Sequence, residues 1–460
     1  MTQAAGLSDL AARVWTEVGG PAGLLGVLTV RGPRTVLGSH FDVTGLATAS
    51  VAAATLAAAE YLAARNDRRP LPVRVDSRQA CAAFAAEALF TPIGWDLPQP
   101  WDPIAGNYQA RDGWIRLHTN YAYHRAVVER LLGAADRDSV RAAVAGLQAG
   151  ELETAVVEAG GCAAAMRTRE GWLASPAGAA TADAPLVAAA DRRLPAGLRV
   201  AGGSRPYAGV RVLDLTRVIA GPVGTRFLAA YGADVLRVDP PGFAEVPALL
   251  PETTAGKRTT SLDLTSAGGR AAFESLVATA DVLVSGLRAN ALARLGYGDG
   301  ALAELNPALI VASLDAYGPQ GPWRDRRGFD SLVQMSSGIA AAGAAEAGHP
   351  VPLPVQALDH GCGYLLAAAV GRALTRRITE AAVSRISVSL IGVASLLWSL
   401  PRAGELPPVP KPSDIPLAGT HTAWGPARQV PLPGEIAGID AKWRVEAGPL
   451  GRHRPAWAEN

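Results

Sequence analysis

The chain has 460 residues, with 43 lysines and arginines against 41 aspartates and glutamates, and 49% of its residues are apolar. This composition is typical of a globular protein with room for two or three domains. The net charge of +2 excludes a broad surface for a polyanion, so we expect no nucleic-acid partner. Cys81, Cys162 and Cys362 are too few and too widely spaced for a disulfide framework or a zinc site, which indicates a reducing compartment.

The first twenty residues do not have the pattern of a signal peptide. They contain Asp9 and Glu17 and lack a basic flank followed by an apolar run, so we expect a cytoplasmic protein. Two apolar stretches, 43–59 and 386–400, fall short of the roughly 20 strongly apolar residues that a membrane span needs. We therefore expect no membrane association.

An alanine-rich helix is the first strong pattern along the chain. Asp42 is followed by a turn of small residues and by a helical run that ends at Arg65. The segment 71–76 then alternates apolar and polar residues as a strand does.

The densest pattern lies between residues 209 and 313, where strands and helices alternate. We predict strands over 210–215, 233–239, 260–264, 281–285 and 308–313, with helices over 223–231 and 266–279. Such alternation predicts an α/β fold with a doubly wound parallel sheet, which binds ligands beyond the carboxyl ends of its strands. The first loop, 216–222, is not GxGxxG, so a nicotinamide or flavin dinucleotide is not indicated.

The alanine-rich pattern occurs a second time after this region. Asp359 opens a segment with glycines and an alanine-rich helix to Arg377, and a strand-like segment, 384–389, follows. Asp42 and Asp359 are 317 residues apart, and we interpret the two segments as an internal repeat.

Several motifs in register resemble family III CoA transferases. They are Val212-Leu-Asp-Leu-Thr-Arg-Val-Ile-Ala-Gly-Pro222, Tyr231-Gly-Ala-Asp-Val-Leu-Arg-Val-Asp239, Gly256-Lys-Arg-Thr-Thr-Ser-Leu-Asp-Leu264, Leu287-Arg-Ala-Asn-Ala-Leu-Ala-Arg-Leu-Gly296 and Tyr317-Gly-Pro-Gln-Gly-Pro322. Segments between residues 112 and 172 resemble the small domain of the same family, which here precedes the large domain along the chain. The chain therefore resembles a rearranged fusion of two partial copies.

This resemblance suggests four regions. Residues 1–190 would be an N-terminal partial copy with the small domain, 191–203 an exposed linker, and 204–400 a CoA-binding α/β core. A Pro-rich crossover and a C-terminal return segment would occupy 401–460. Members of the family form interlocked dimers, so the resemblance also implies a homodimer.

The resemblance implies that Asp359 is the nucleophile of a CoA transfer. Its carboxylate would attack an acyl-CoA to form a mixed anhydride and then an aspartyl-CoA thioester, from which a free carboxylic acid takes the CoA. Glycine-turn amides near Asp359 could stabilise the oxyanions. The alternative is that Asp359 only caps the alanine-rich helix, and for Asp42 this capping role is the favoured interpretation.

The resemblance also carries CoA contacts onto the ends of the core strands, with no metal and no tightly bound cofactor. Arginine has a physical reason to be among them because guanidinium groups bind phosphate in forked pairs. The predicted contacts are Ile219, Ala220, Lys257, Leu262, Thr265, Arg288, Arg294, Tyr317 and Gly318.

Two departures from the family pattern leave alternatives open. Asp315 stands where some members have lysine, which favours a non-catalytic CoA-binding homologue as one rival. The related acyl-CoA racemases carry a catalytic histidine where this chain has Phe329, and phenylalanine exchanges no proton. His360 is the remaining candidate base for a racemase or isomerase, although its side chain should point away from that of Asp359.

Overall fold

The computed structural model describes residues 2–194, 200–288, 290–401, 414 and 416–458. The strands it describes are β1 (Leu28–Arg31), β2 (Val73–Asp76), β3 (Thr91–Pro92), β4 (Gly106–Ala110), β5 (Gly113–Leu117), β6 (Ala163–Ala165), β7 (Val187–Arg193), β8 (Arg211–Leu215), β9 (Asp234–Asp239), β10 (Arg258–Ser261), β11 (Val282–Ser285), β12 (Ile310–Asp315), β13 (Ala382–Ser389), β14 (Ala418–Thr422), β15 (Gly425–Gln429) and β16 (Glu435–Ile436).

The α-helices are α1 (Thr2–Glu17), α2 (Val43–Arg65), α3 (Ser77–Ala83), α4 (Ala86–Leu89), α5 (Ala122–Leu132), α6 (Arg137–Ala145), α7 (Ala149–Glu158), α8 (Arg169–Ala174), α9 (Pro176–Thr181), α10 (Ala220–Ala230), α11 (Leu250–Thr253), α12 (Ala267–Ala278), α13 (Ala291–Arg294), α14 (Asp299–Leu305), α15 (Asp330–Ser336), α16 (Ala344–Ala347), α17 (Ala357–Thr379) and α18 (Leu390–Ser399). Short 3-10 helices lie at Ala22–Val27 and Pro247–Leu249.

The large sheet has the doubly wound topology that the sequence predicts. Within the described part of the chain, seven strands pair in the order β10-β9-β8-β11-β12-β13-β7. All of these pairings are parallel except the last, in which β7 runs antiparallel to β13. The α/β fold class is thereby confirmed.

Alternating side chains of the central strands serve two different cores. On β11, Val282 and Val284 join the core that contains α2, α10 and α17, whereas Leu283 faces the core under α12. Neighbouring β8 divides its side chains in the same way, with Val212 on one face and Leu213 on the other. Apolar residues on both faces explain why these strands read as continuous hydrophobic runs.

A smaller antiparallel sheet stands apart from the large one. Strands β4, β5 and β6 pair in that order and share a separate apolar core with α5, α6 and α7. Two further small sheets combine strands from the N-terminal and C-terminal regions. In one of them β16 pairs with β2, and in the other β15 pairs with β3. The C-terminal return therefore completes sheets that the N-terminal region begins.

The predicted linker differs from the structure at its beginning. Residues 191–193 belong to β7, which adds an exposed edge strand to the large sheet, because its backbone pairs with β13 along seven residues. Charged residues on an edge strand mimic the composition of a linker, which explains the difference. Residues 195–199 of the predicted linker and most of the Pro-rich segment lie outside the described residues.

The two alanine-rich helices, α2 and α17, pack against each other in the middle of the molecule. Nearly every residue of α2 is buried, and its apolar residues are spread around all of its faces. Among the described residues, α2 is the one helix long and apolar enough to cross a membrane, and its most apolar stretch is fully enclosed by protein.

Candidate active site

A cavity of about 350 Å³ lies at the carboxyl ends of the central strands. Arg217 and Val218 follow β8, Gly286 to Arg288 follow β11, and Asp315 ends β12. Strands β8 and β11 are neighbours at which the strand order of the sheet reverses. Open α/β sheets bind ligands at such a switch point, so the topology identifies this cavity as the candidate site.

Arginines give the cavity a positive wall. Of the described residues, five arginines line it: Arg217, Arg288, Arg324, Arg326 and Arg327. Arg326 pairs with Glu153 at 2.7 Å, but Arg288 has no ion-pair partner in the described part of the chain. Burial, followed by the charges of Arg327 and Arg294, lowers the pKa of Arg288. A guanidinium that is repelled by its neighbours and lacks a carboxylate is a ready partner for a phosphate.

Asp359 lies in the first turn of α17 and lines the same cavity. It does not cap the helix, so the capping alternative is wrong. The cap comes from Asp330, whose Oδ2 accepts hydrogen bonds from the backbone N–H groups of Leu358 at 2.8 Å and Asp359 at 3.1 Å. No described residue donates a hydrogen bond to the Asp359 carboxylate, and the residue lines the cavity.

The glycine turn expected after Asp359 is instead part of the helix. Gly361 and Gly363 continue α17, and both permit close packing. A Cβ at Gly363 would lie 2.4 Å from the carbonyl oxygen of Ala220, and one at Gly361 would lie 3.0 Å from Val393. The glycines therefore let α17 approach α10 and α18, and the predicted oxyanion site made of turn amides is wrong.

Negative groups surround the buried Asp359 carboxyl, which is 7% exposed. Burial, followed by the charges of Asp330 and Glu87, raises the pKa of Asp359 well above its ordinary value. Burial also raises the pKa of Asp330 to about 6. The pair holds its protons to higher pH than an exposed carboxyl does, and Asp359 becomes a strong nucleophile once it is ionised.

Asp42 lies at the start of the other alanine-rich helix, α2, but has a different role from Asp359. It is the N-cap of α2, and its Oδ1 accepts a hydrogen bond from Gly45 N at 2.7 Å. The guanidinium of Arg34 forms a two-pronged ion pair with the same carboxylate. The capping interpretation of Asp42 is confirmed, and its charge is already neutralised by protein.

The predicted CoA contacts are only partly brought together. Ala220 and Arg288 line the cavity, and Ile219 immediately precedes Ala220. Leu262 is buried in the core under α12, Thr265 bonds its neighbour Asp263, and Arg294 is exposed at the end of α13. These three lie outside the cavity lining.

The structure places Lys257 away from the cavity, contrary to the prediction that it contacts CoA. Its side chain is fully buried, and Nζ lies 3.0 Å from both Asp214 Oδ2 and the carbonyl oxygen of Pro222. Burial lowers the pKa of Lys257 to about 8. A lysine that is enclosed and paired in this way holds β8 and α10 together and is unable to reach a phosphate.

The end of β12 and the turn after it contain Tyr317, a predicted CoA contact that does not line the cavity, and Asp315, which does line it. Tyr317 is buried, and its hydroxyl lies 3.1 Å from Ser336 Oγ. Gly318 has a φ of +84°, which lets its N–H donate to Asp315 Oδ1. Burial raises the pKa of Asp315 to about 6, so this cavity-lining group carries less negative charge near pH 6 than an ordinary aspartate.

An aromatic wall completes the cavity. Tyr121, Tyr123 and His124 come from the start of α5, and Phe329 comes from the core region. Burial, followed by the charge of Arg327, lowers the pKa of His124 to about 4, so its imidazole is neutral at pH 7. His360 is not part of the lining, because its Nε2 lies 2.9 Å from Glu87 Oε2.

Sequence reasoning missed most of the arginines and the whole contribution of α5. Arg217 comes directly after the predicted strand 210–215, which was an available signal. Arg324, Arg326 and Arg327 follow the motif 317–322 and do not lie directly after a predicted strand. Tyr121 and His124 carry no local signal, because their place in the cavity depends on packing between distant parts of the chain.

The fold and cavity define a doubly wound α/β protein whose ligand site is positively charged and lies at the switch point of its sheet. Residues 207–415 match the model of CoA-transferase family III, which this part of the chain resembles. The match covers the strands that form the cavity and the helix that carries Asp359.

Curated relatives match somewhat less than half of the chain. A probable fatty acyl-CoA transferase of Mycobacterium tuberculosis is 32% identical over 229 residues, which are 46% of this chain and 58% of that protein. A formyl-CoA:oxalate CoA-transferase of Rhodopseudomonas palustris is 32% identical over 194 residues, or 40% of this chain and 45% of the relative. The chain spans about half the length of the curated relatives it matches.

A crystal structure of a hypothetical protein from Mycobacterium tuberculosis is also similar. It shares 33% sequence identity with a TM-score of 0.40, over 43% of this chain and 57% of that one.

Proposed function

We propose that this protein transfers CoA from an acyl-CoA to a free carboxylic acid, with Asp359 as the nucleophile. The observation that carries the proposal is the position of Asp359, a buried carboxyl to which no described residue donates a hydrogen bond, in the same cavity as Arg288, which has no ion-pair partner among the described residues. An anionic cofactor held by arginine would present its thioester to that carboxyl. The family match supports CoA transfer in general.

The reaction starts when the ionised Asp359 carboxylate attacks the thioester carbonyl. A C–O bond forms, the C–S bond breaks, and CoA leaves as thiolate. The thiolate then attacks the Asp359 carbonyl of the mixed anhydride, which releases the donor acid as a carboxylate and leaves an aspartyl-CoA thioester. The acceptor carboxylate attacks this thioester, and the freed thiolate finally attacks the acceptor acyl group, which regenerates Asp359.

The surroundings of Asp359 suit this sequence of steps. Arg288 and Arg327 would neutralise phosphate groups of CoA, because both line the cavity and neither has a carboxylate partner within the described part of the chain. The aromatic wall of Tyr121, Tyr123 and Phe329 would exclude water from the anhydride, which water otherwise hydrolyses.

Intact-protein mass spectrometry after incubation with a panel of acyl-CoAs tests this proposal. We expect a covalent adduct in the native protein and none in Asp359→Asn, together with transfer of CoA to an added acid. Deuterium uptake at the acyl α-carbon without an acceptor acid would instead support a racemase or isomerase. Binding of acyl-CoA without adduct or turnover would support a non-catalytic CoA-binding protein.

A further inference from the structure

The loop between β8 and α10 contains a residue in an unfavourable backbone conformation. Val218 has a φ of +63°, in the left-handed region, and among the described residues it is the one β-branched residue with a positive φ. Such a conformation is strained and persists only where the surrounding structure holds it. Since Arg217, Val218 and Ala220 line the cavity, this turn shapes the wall on which a ligand would lie.

The carboxylate of Glu245 holds this turn. Its Oε2 accepts a hydrogen bond from the backbone N–H of Val218 at 3.0 Å. The same oxygen accepts a hydrogen bond from Arg237 Nη2 at 2.9 Å, and both side chains of this ion pair are fully buried. Burial alone would raise the pKa of Glu245, but the charge of Arg237 and the hydrogen bonds lower it below its ordinary value. The carboxylate therefore stays ionised and remains a strong acceptor.

The other oxygen of Glu245 holds a second wall of the cavity. Its Oε1 accepts hydrogen bonds from the hydroxyl of Tyr121 at 2.8 Å and from the backbone N–H of Val246 at 3.0 Å. Tyr121 immediately precedes α5 and belongs to the aromatic wall, whereas Glu245 itself does not line the cavity. One buried carboxylate thus connects two cavity walls that are distant in the sequence.

The side chain of Arg217 is held by the same buried group of residues. Its guanidinium lies over the ring of Phe243, with 3.9 Å between Cζ and the ring centroid, and its Nε lies 3.6 Å from Asp239 Oδ1. Asp239 also accepts a hydrogen bond from Nε of Arg237 at 2.8 Å, and Arg237 is the ion-pair partner of Glu245. The orientation of this cavity arginine therefore depends on the residues packed around Glu245.

We propose that Glu245 is a positioning residue of the candidate site, whose carboxylate holds the strained turn at Val218 and the aromatic wall at Tyr121 in the arrangement that the ligand requires. Because Glu245 lies outside the cavity lining, it acts through these two residues and not by touching the ligand. That the ligand is an acyl-CoA rests on the proposed function, whereas the geometry that Glu245 maintains does not.

Hydrogen exchange of the folded protein, measured by mass spectrometry, tests this role without any activity. Glu245→Ala removes both acceptor oxygens, so we expect the amides of residues 216–220 and 121–127 to exchange faster than in the native protein. The matched control is Glu60→Ala, which removes a buried carboxylate that pairs with Arg372 and lies outside the cavity lining. It should leave exchange in both segments unchanged. Native exchange rates in both segments of Glu245→Ala would overturn the proposal.

Tyr121→Phe is a second variant for the case in which Glu245→Ala does not fold. It removes one hydrogen bond to the carboxylate and keeps the aromatic ring and the ion pair between Glu245 and Arg237. We expect faster exchange over 121–127 and native exchange over 216–220, where the bond to Val218 remains. Native exchange over 121–127 would contradict the proposal, because the Glu245 carboxylate would then not hold the aromatic wall.

A double-mutant cycle with Val218 connects the geometry to catalysis. Glu245→Ala should lower kcat/KM for CoA transfer on the order of 100-fold, which is the cost of misplacing groups around a reacting centre. Glycine adopts the left-handed conformation without strain, so the same change in a Val218→Gly background should cost at least about twofold less. Equal losses in both backgrounds would contradict the role of the turn. If the native protein transfers no CoA, the proposed function fails, and the exchange measurement alone decides the role of Glu245.

Discussion

Asp330 accepts a hydrogen bond from the backbone N–H of Asp359 at 3.1 Å, and its negative charge adds to burial, the larger cause, in raising the pKa of the Asp359 carboxyl. One side chain thus holds the helix turn that presents the candidate nucleophile and also contributes to the pH at which that nucleophile ionises. The two effects are separable by mutation.

Asp330→Asn removes the charge but keeps one oxygen as an acceptor. We expect the midpoint of the pH–rate profile to move to lower pH, because the loss of a neighbouring carboxylate lowers the pKa of Asp359. The new amide must face either Gln334 or the helix N–H groups, which are all donors here, so unfolding should become easier by about 1–3 kcal/mol. Asp42→Asn, a change at another helix N-terminus, is the control and should leave the midpoint where it is.

Asp359→Asn should abolish turnover without lowering the melting temperature. The folded protein keeps a proton on Asp359 at pH values where the unfolded chain, with a pKa of about 3.9, has lost it. The stability contributed by this group therefore falls as pH rises above about 4. At pH 8 the asparagine variant should melt at the same temperature as the native protein or higher, and the difference should shrink toward pH 4. A variant that melts well below the native protein at pH 8 would show that Asp359 is a structural group.

Arg288→Ala and Lys257→Met should have opposite consequences. Arg288 has no ion-pair partner among the described residues, so its loss should raise the KM for acyl-CoA about tenfold or more with little change in melting temperature. Loss of Lys257 leaves the buried Asp214 carboxylate unpaired and should cost about 3–5 kcal/mol of unfolding free energy. Steady-state kinetics and urea unfolding of both variants distinguish a ligand contact from a structural ion pair.

Asp42→Asn should affect stability more than catalysis. The variant loses the ion pair with Arg34 and part of the cap on α2, and removal of such a cap costs about 1 kcal/mol. We expect kcat to stay within about twofold of the native value, a change of less than about 0.5 kcal/mol in the barrier. A loss of activity comparable to that of Asp359→Asn would mean that the first repeat carries the active aspartate.

Local patterns predicted most of the large sheet. The apolar runs that became β8, β9 and β11 are buried on both faces, and turn residues end each of them close to the predicted position. The linker prediction was wrong at 191–193 because an edge strand with Asp191 and Arg192 has the composition of a loop. These residues form a strand because they pair with β13, which lies far away in the sequence.

Site residues that belong to one local motif could be predicted from the sequence. Residues whose position depends on packing between distant segments could not. Asp359 and Arg288 follow from motifs, but the burial of Lys257 depends on Asp214, which lies on another strand. Similarly, the capping of α17 by Asp330 joins two segments across a loop, so sequence alone left Asp359 as a possible cap.

The most direct test of the account is to trap the enzyme-bound thioester. Borohydride reduces an aspartyl-CoA thioester to homoserine, so the native protein, treated with an acyl-CoA and then with borohydride, is digested and its peptides are mapped by mass spectrometry. We expect homoserine at position 359 and unchanged aspartate at position 42. Unmodified Asp359 in a preparation that transfers CoA, or homoserine at another aspartate, would contradict the proposed role of Asp359.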